Sequence, residues 1–278
     1  MKNSKEIFRN LQQQITLKED LEEIQSILYL VAESVLGLSR ADIISEKPVL
    51  FDSLKENKLN EVTARINRQE PIQYILGEAD FFGRKFLVNS SVLIPRQETE
   101  LLIHEILKFS FPKQAKILDI GSGSGCIAIT LALEILEAEV TATDVSEKAL
   151  IVAKQNADSM KASIQFLRHD ILKDDIPGNF DLIVSNPPYI SKEEKNSMHK
   201  NVLDYEPHLA LFSENDPMLF YREISAKAKK SLKKNGKVLV EINEHFGPET
   251  LSIFQHAGFS KCQLIKDLQN KDRILVAQ

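Results

Sequence analysis

The part of the sequence that decides the fold reads Lys116-Ile117-Leu118-Asp119-Ile120-Gly121-Ser122-Gly123-Ser124-Gly125. An apolar run of strand length leads into a glycine-rich turn, and residues 126–132 then begin a pattern typical of a buried helix. A strand, a glycine turn and a helix in this order open a parallel α/β unit, and the glycines let a ligand approach the backbone closely. Because many strand-to-helix turns contain glycine, the turn alone does not identify a ligand.

An acidic residue follows the second predicted strand, which covers residues 139–143. This residue is Asp144, and an acid roughly 20 residues after the glycines is placed to bind the hydroxyl groups of a ribose. Asp144 also fits a capping box with Glu147 for a helix over 145–156. The two roles can coexist, and we predict ribose binding.

A third strand is predicted over residues 163–167, and Asp170 and Ile171 follow it. Ligands of a doubly wound sheet lie beyond the carboxyl ends of its strands. We therefore expect Asp170 to accept a hydrogen bond from an exocyclic amine and Ile171 to pack against a ring. Asp170 suits an ordinary turn equally well.

The fourth predicted strand, over residues 180–184, runs into Asn186-Pro187-Pro188-Tyr189. Two consecutive prolines stiffen the backbone and lack N–H groups, so this loop presents carbonyl oxygens without competing donors. Asn186 adds a side-chain carbonyl and Tyr189 an aromatic face, a combination that suits a planar NH2 group with two hydrogens to place. The alternative is a rigid turn after a core strand. The glycine turn, both acids and Asn186 should meet at one edge of the sheet.

The sequence divides into three parts. Residues 1–78 show apolar positions at helical spacing, with Gly37 as a stop signal and Pro48 opening a second helix, and we predict a helical substrate-recognition domain. A purely structural extension fits the same pattern. Residues 79–94 are predicted to form a β-hairpin linker. Residues 95–278 are predicted to form the α/β domain, a doubly wound Rossmann-like sheet. We expect its final strand to insert antiparallel, because only a short turn separates it from the strand before it.

The composition is that of a globular protein without low-complexity tracts: 278 residues, 43% hydrophobic and 27% charged. The formal net charge of -5 argues against a protein that binds by neutralising many phosphates. Two cysteines are too few for a disulfide framework, and neither they nor the scattered histidines show metal-ligand spacing. Because the sequence shows neither a signal peptide nor an apolar run that spans a bilayer, we expect a cytoplasmic protein without a metal.

A glycine turn with a ribose-binding acid fits NAD as well as an adenosyl donor. The spacing Gly121-x-Gly123-x-Gly125 differs, however, from the G-x-G-x-x-G of dinucleotide-binding folds. An antiparallel final strand is unusual for the dinucleotide fold, and the loop after the fourth strand offers no acid or base for a hydroxyl substrate. These features argue against a dehydrogenase.

The glycine turn, Asp144 and Asn186-Pro187-Pro188-Tyr189 together resemble the S-adenosylmethionine-dependent methyltransferases that modify planar nitrogens. Two further segments narrow the resemblance to the release-factor glutamine methyltransferases (the HemK/PrmC family): Glu70-Pro71-Ile72-Gln73-Tyr74-Ile75-Leu76-Gly77 and Leu93-Ile94-Pro95-Arg96-Gln97-Glu98-Thr99-Glu100. Tyr205-Glu206-Pro207 also matches, and the resemblance covers nearly the whole chain. The family's usual Thr is Ser122 here, and its usual Pro is Gln97, which bears on where the following helix starts.

The resemblance implies methylation of the side-chain amide of the glutamine in the Gly-Gly-Gln motif of class I peptide chain release factors. It implies S-adenosyl-L-methionine as cofactor, S-adenosyl-L-homocysteine as product, and a monomer that needs neither nucleic acid nor membrane. The catalytic residues are then Asn186, Pro187 and Tyr189, and substrate binding adds Pro188 and Arg96. The expected cofactor-binding residues are Gly121, Ser122, Gly123, Ser124, Gly125, Asp144, Asp170, Ile171 and Asn186.

Two other functions fit parts of the pattern. A DNA or RNA nucleobase amino methyltransferase also presents a flipped planar NH2 group to such a loop. That function predicts a basic groove and aromatic stacking partners, whereas this chain is acidic and has no Trp. A non-catalytic protein that binds an adenosyl ligand would not need both Asn186 and Tyr189.

Overall fold

The structure is a computed structural model that describes residues 2–191, 194–213 and 216–278. The chain divides into two compact units. The first contains the residues up to Gly77 together with His199–Tyr205, and the second contains Glu78–Met198 and Glu206–Gln278. Within the described ranges, no helix combines the length and the apolar character needed to cross a membrane.

The first unit is mainly helical. Its elements up to Gly77 are β1 (Lys2–Asn3), α1 (Ser4–Gln14), α2 (Leu21–Leu36), α3 (Arg40–Ile44), β2 (Pro48–Val49), α4 (Ser53–Ile66) and α5 (Ile72–Leu76). Their apolar faces share one core, in which Leu28, Val31 and Val62 are buried. Helix α2 ends at Gly37, whose φ of 65° is the left-handed conformation expected of a C-terminal cap.

The prediction that Pro48 opens a helix is wrong. Pro48 and Val49 instead pair antiparallel with Lys2–Asn3. Helix α4 begins at Ser53, because the side chain of Asp52 accepts the backbone N–H of Lys55 and caps the first turn.

The second unit opens with a β-hairpin and continues as alternating strands and helices. Its elements up to the loop of interest are β3 (Glu78–Phe81), β4 (Arg84–Leu87), α6 (Gln97–Ile106), β5 (Lys116–Ile120), α7 (Cys126–Glu134), β6 (Glu139–Asp144), α8 (Glu147–Met160), β7 (Ile164–Arg168) and β8 (Phe180–Ser185). Helix α9 (Lys200–Tyr205) then belongs to the first unit, where the Tyr205 hydroxyl donates to the backbone carbonyl of Arg68. The second unit resumes with α10 (His208–Leu211), α11 (Leu219–Ser231), β9 (Leu232–Glu241), α12 (Gly247–His256), β10 (Cys262–Lys266) and β11 (Asp272–Ala277).

Seven strands form the main sheet in the order β10-β11-β9-β8-β5-β6-β7. Strands β9, β8, β5, β6 and β7 are parallel, and β11 inserts antiparallel between β9 and β10. The prediction of a Rossmann-like sheet with an antiparallel final strand is therefore confirmed.

Both faces of the sheet are buried. Ile117 and Leu182 belong to the core on one face, whereas their neighbours Leu118 and Ile183 belong to the core on the other. Strands covered on both faces by helices read as continuous apolar runs, which is the pattern that made β5 and β8 recognisable.

The chain order reverses between β5 and β8. From β5 the chain winds outward through β6 to β7 and then returns to place β8 on the other side of β5. Ile120 lies beside Thr143 on one neighbour and beside Ser185 on the other. The turn after β5 therefore lies between the residues that follow β6 and β8, at the position where open α/β sheets bind ligands.

Candidate active site

The glycine turn after β5 is held by backbone and side-chain hydrogen bonds. The N–H groups of Gly121 and Ser122 both donate to the carbonyl of Thr143, each at 2.9 Å. The Ser122 hydroxyl donates to the buried carboxylate of Asp119 at 2.9 Å. These bonds tie the turn to the ends of β5 and β6.

The glycines of this turn differ in what surrounds them. Gly121, Gly123 and Gly125 have φ values of 75°, 56° and 81°, a region that side-chain-bearing residues rarely adopt. A Cβ built on Gly121 or Gly123 meets no heavy atom within 4 Å, so the backbone there is open to a ligand. A Cβ on Gly125 would lie 3.0 Å from Ile129 Cδ1 and 3.1 Å from Ala153 Cβ, so Gly125 serves the packing of α7 against α8.

Asp144 lies at the end of β6 and accepts a hydrogen bond from the glycine turn. One carboxylate oxygen accepts the N–H of Gly123 at 2.9 Å and the other accepts the N–H of Ser146 at 2.8 Å. Burial raises the pKa of Asp144, and these backbone N–H groups oppose the rise. A carboxylate offers about four lone-pair sites, so Asp144 keeps acceptor capacity beyond these two bonds.

The capping box predicted for Asp144 and Glu147 is wrong. The residue that caps α8 is Ser146, whose hydroxyl oxygen accepts the N–H of Ala149 at 3.2 Å. The carboxylate of Asp144 accepts instead from the turn and from Ser146, because two residues separate the end of the strand from the start of the helix.

Asp170 follows β7 at the same edge of the sheet. The register places Asp144 opposite Arg168, and the N–H of His169 donates to the Asp144 carbonyl at 3.1 Å. The Asp170 carboxylate accepts the N–H of Leu172 and pairs with Lys173 at 2.9 Å. These local contacts give Asp170 the role of a turn residue, and its role toward an amine stays a prediction. The ammonium of Lys173 lowers the pKa of Asp170. Ile171 beside it is buried.

The loop after β8 is anchored by a buried carboxylate. The Asn186 amide donates to Thr99 Oγ1 at 3.1 Å, and the Thr99 hydroxyl donates to Glu241 Oε2 at 2.7 Å. The Tyr189 hydroxyl donates to the other oxygen, Glu241 Oε1, at 3.3 Å. Asn186 and Tyr189 are half-buried, and Pro187 between them is buried.

Burial changes the pKa values of Glu241 and Tyr189. Burial raises the pKa of Glu241, while the hydrogen bonds from Thr99 and Tyr189 oppose that rise. Burial and the neighbouring Glu241 carboxylate raise the pKa of Tyr189, which therefore keeps its proton and donates.

Arg96 lies directly before α6, which begins at Gln97. Its guanidinium pairs with Glu206 Oε1 at 2.5 Å, and Glu206 Oε2 accepts the N–H of Ile94 at 3.3 Å. The Glu206 side chain is 1% exposed. Arg96 therefore holds the loop before α6 to the segment after α9, and its contact with a substrate stays a prediction.

Thr99 and Glu241 were not among the predicted site residues. Thr99 lies in the first turn of α6, and Glu241 ends β9. Ser185 lies opposite Val240, so Glu241 follows β9 at the same edge at which Asn186 follows β8. The rule that located the other acids, namely the carboxyl ends of parallel strands, also applies to Glu241.

Two family descriptions match the chain. The one for the PrmC N-terminal domain covers residues 9–77, and the one for the methyltransferase small domain covers residues 96–209. The release factor glutamine methyltransferase of Flavobacterium psychrophilum is 45% identical over 262 residues, which cover 92% of each chain. The release factor glutamine methyltransferase of Bacteroides thetaiotaomicron is 41% identical over 259 residues, covering 92% of this chain and 93% of that protein.

Solved structures with lower identity share the fold. A methyltransferase from Pyrococcus furiosus has a TM-score of 0.53 at 19% identity, covering 81% of this chain and 98% of that one. The hMettl16 catalytic domain in complex with MAT2A 3'UTR hairpin 6 has a TM-score of 0.56 at 16% identity, covering 83% and 84%. The extent and identity of the matches to the Flavobacterium and Bacteroides proteins go beyond the fold, and this chain belongs to the release factor glutamine methyltransferase family.

Proposed function

We propose that this protein transfers a methyl group from S-adenosylmethionine to the side-chain amide nitrogen of the glutamine in the Gly-Gly-Gln motif of class I release factors. S-adenosylhomocysteine is the second product. The observation that carries the proposal is the meeting of the glycine turn, Asp144 and Asn186 at adjoining strand ends. The buried Glu241 carboxylate holds Tyr189 directly and Asn186 through the hydroxyl of Thr99.

The residues around the glycine turn fit an adenosyl ligand. The backbone at Gly121 and Gly123 is open, and Asp144 retains acceptor sites for ribose hydroxyls. When bound, S-adenosylmethionine supplies an electrophilic methyl group carried on a sulfonium. The residues proposed to hold it are Gly121, Ser122, Gly123, Ser124, Gly125, Asp144, Asp170, Ile171 and Asn186.

Asn186, Pro187 and Tyr189 would orient the substrate amide. An amide nitrogen is a poor nucleophile because its lone pair is delocalised into the carbonyl. Asn186 Oδ1 and the Pro187 carbonyl would each accept one N–H of the substrate, which directs the lone pair toward the methyl group and stabilises the positive charge that develops on nitrogen. Tyr189 would stack on the amide plane. In-line geometry of this kind supplies up to about 7–11 kcal/mol of the barrier reduction.

The same arrangement should discriminate glutamine from glutamate. A glutamate carboxylate has no hydrogens to donate, so Asn186 Oδ1 and the Pro187 carbonyl would face its oxygens without forming hydrogen bonds. Transfer to glutamine needs no general base before attack, because the methylated nitrogen loses its proton readily to water. Pro188 and Arg96 are proposed to contact the substrate around the amide.

We also propose a division of labour along the chain. Residues 1–78 would recognise the release factor, residues 79–94 link the parts and residues 95–278 carry out the transfer in the cytoplasm. The helical unit supports this division because it exposes large apolar side chains, among them Leu50 and Leu54, which are 74% and 78% exposed. Leu50→Ser with Leu54→Ser should raise the KM for release factor and leave the affinity for S-adenosylmethionine unchanged; an unchanged KM would argue against recognition by this surface.

The function is tested by incubating the protein with S-adenosylmethionine labelled in its methyl group. Separate reactions contain a release factor, its Gln→Glu variant in the Gly-Gly-Gln motif, total tRNA, and double-stranded DNA. We expect label in the release factor alone, and none in the Gln→Glu variant. Label in tRNA or DNA but not in release factor would support the nucleobase amino methyltransferase instead.

The role of Asn186 is tested in the same reactions. Asn186→Ala should abolish transfer while the affinity for S-adenosylmethionine falls only modestly, because most of the proposed contacts to that ligand come from other residues. Asn179→Ala is the matched control, since Asn179 is exposed directly before the opposite end of β8. Near-normal turnover by Asn186→Ala would remove this residue from the mechanism.

A further inference from the structure

The carboxylate of Glu241 connects two residues of the loop after β8 to helix α6. It accepts the hydroxyl of Tyr189 directly and reaches Asn186 through the hydroxyl of Thr99. Glu241 and Thr99 are both buried, so water does not replace either partner. The backbone carbonyl of Glu241 also accepts the hydroxyl of Tyr221 at 3.2 Å, which fixes this end of β9.

Asn186, Thr99 and Glu241 form a series of hydrogen bonds in which the donor and the acceptor of each bond are fixed. Both carboxylate oxygens of Glu241 accept, one from Tyr189 and the other from Thr99, so the single proton of the Thr99 hydroxyl is used toward Glu241. Thr99 Oγ1 can then only accept from Asn186. The side-chain atom of Asn186 that faces Thr99 must therefore be the amide nitrogen, and the amide oxygen must point elsewhere.

This direction matters because a side-chain amide can be turned over with little change in shape. Its oxygen and nitrogen exchange places, and the surrounding hydrogen bonds alone select one orientation. The proposed reaction needs the oxygen of Asn186 as an acceptor for the substrate N–H. An inverted amide would present an NH2 group to another NH2 group.

We infer that Thr99 and Glu241 are positioning residues, which orient the Asn186 amide so that Oδ1 faces the substrate nitrogen. The inference rests on the proposed function for the identity of the substrate. By the same carboxylate, Glu241 holds the Tyr189 ring beside that oxygen. One buried acid thus sets the orientation of both side chains of the loop that contact the substrate.

Thr99→Val is the principal test, because valine keeps the branched shape and removes the hydroxyl. We expect kcat for release factor to fall by about 10- to 100-fold, as misplaced reacting groups cost that much. The affinity for S-adenosylmethionine should change by less than about threefold, which is under 1 kcal/mol. Thr99→Ser, which restores the hydroxyl, should recover most of the kcat.

Binding of the Gln→Glu release factor separates an orienting role of Thr99 from a role in stability alone. If Thr99 orients the amide, the inverted Asn186 of Thr99→Val presents hydrogens to the carboxylate, and the variant should bind the Gln→Glu release factor more tightly than wild type does. If Thr99 contributes only packing, the substitution should weaken the binding of both release factors. Glu241→Gln, which keeps the shape and removes the pure acceptor, is the second variant in case Thr99→Val unfolds, and its kcat should fall as well.

The outcomes separate this inference from the proposed function. If wild type labels nucleic acid rather than release factor, the proposed function fails, and the variants are then measured on that substrate, whose NH2 group also needs the oxygen of Asn186. If folded Thr99→Val and Glu241→Gln both transfer methyl groups at the wild-type rate, the inference is overturned. If Thr99→Ser is as slow as Thr99→Val, the hydroxyl is not what orients Asn186 and the inference is overturned as well.

Discussion

Asn156 pairs with both backbone polar groups of Leu87. Its side-chain Oδ1 accepts the N–H of Leu87 at 2.7 Å, and its Nδ2 donates to the carbonyl of Leu87 at 3.0 Å. The same Nδ2 donates to the carbonyl of Ser124 at 2.9 Å. Asn156 of helix α8 thus satisfies the backbone groups at the end of β4 that a neighbouring strand would otherwise satisfy. The same side chain connects the hairpin to the glycine turn.

Asn156→Ala should strongly destabilise the second unit. Asn156 is fully buried, so the substitution leaves the N–H of Leu87 and two carbonyls without their partner. We expect a loss of about 2–4 kcal/mol in the free energy of unfolding, measured by urea denaturation. Gln155→Ala, at the exposed neighbouring position of α8, is the control and should change little. Equal stability of the two variants would mean that the hairpin end does not depend on Asn156.

The glycine turn gives a second prediction, because two of its glycines have different surroundings. Gly125→Ala adds a Cβ 3.0 Å from Ile129 Cδ1 at a φ of 81°, whereas Gly123→Ala adds one into open space at a φ of 56°. In urea denaturation without ligand, we expect Gly125→Ala to cost roughly 2–3 kcal/mol and Gly123→Ala about 1 kcal/mol, mostly for the left-handed backbone. Gly123→Ala should instead weaken binding of S-adenosylmethionine, measured by calorimetry. The reverse ranking of stability would contradict this assignment.

Features carried by consecutive residues were predictable from the sequence. The apolar runs of β5 and β8, the glycine turn between β5 and α7, and the short turn before β11 are local patterns, and each produced the expected element. The end of α2 at Gly37 was predictable for the same reason, since a glycine in the left-handed conformation is a local stop signal. Asp52, the cap that starts α4, is an equally local signal, and it indicates a helix that begins at Ser53 rather than at Pro48.

Individual hydrogen bonds between residues distant in sequence were not predictable, although the rule for strand ends predicts which residues share an edge of the sheet. Thr99 and Glu241 are 142 positions apart, and Leu87 and Asn156 are 69 apart. Each pair meets only after the sheet has brought its strand ends and helices together, so neither shows a spacing that a sequence pattern can detect. The same holds for α9, which lies within the second unit in sequence and joins the first unit in the structure.

The ion pair between Arg96 and Glu206 gives a third prediction. The Glu206 side chain is 1% exposed, so Arg96→Ala leaves a buried carboxylate without its cation. Because the Arg96 side chain itself is 36% exposed, water screens part of the pair, and we expect a loss of about 2–4 kcal/mol rather than the full cost of a buried pair. Urea denaturation measures this loss.

A double-mutant cycle isolates the pair from other effects of Arg96. In the Glu206→Gln background no buried charge needs compensation, so Arg96→Ala should cost less than about 1 kcal/mol. If Arg96→Ala costs the same with Glu206 as with Gln, the two side chains are not coupled in stability.

The buried Asp119 gives a prediction for the dependence of stability on pH. Burial raises the pKa of Asp119 from 3.8 to about 7, and the hydroxyl of Ser122 opposes the rise. Because the folded-state pKa is higher, the folded protein binds more protons than the unfolded chain between about pH 4 and 7, and the contribution of this group to stability falls as the pH rises through that range.

Asp119→Asn removes this titration, so the stability of the variant relative to wild type should increase between pH 5 and 8. The full shift corresponds to about 4 kcal/mol at roughly 1.4 kcal/mol per pKa unit, and urea denaturation at each pH measures the part within this window. Carboxylates elsewhere titrate alike in both proteins and cancel in the difference. Ser122→Ala removes the hydrogen bond that favours the charged form, so its stability should fall more steeply with pH than that of wild type. A difference between Asp119→Asn and wild type that stays constant from pH 5 to 8 would show that Asp119 does not titrate in this range, and that its charge is retained beneath the glycine turn.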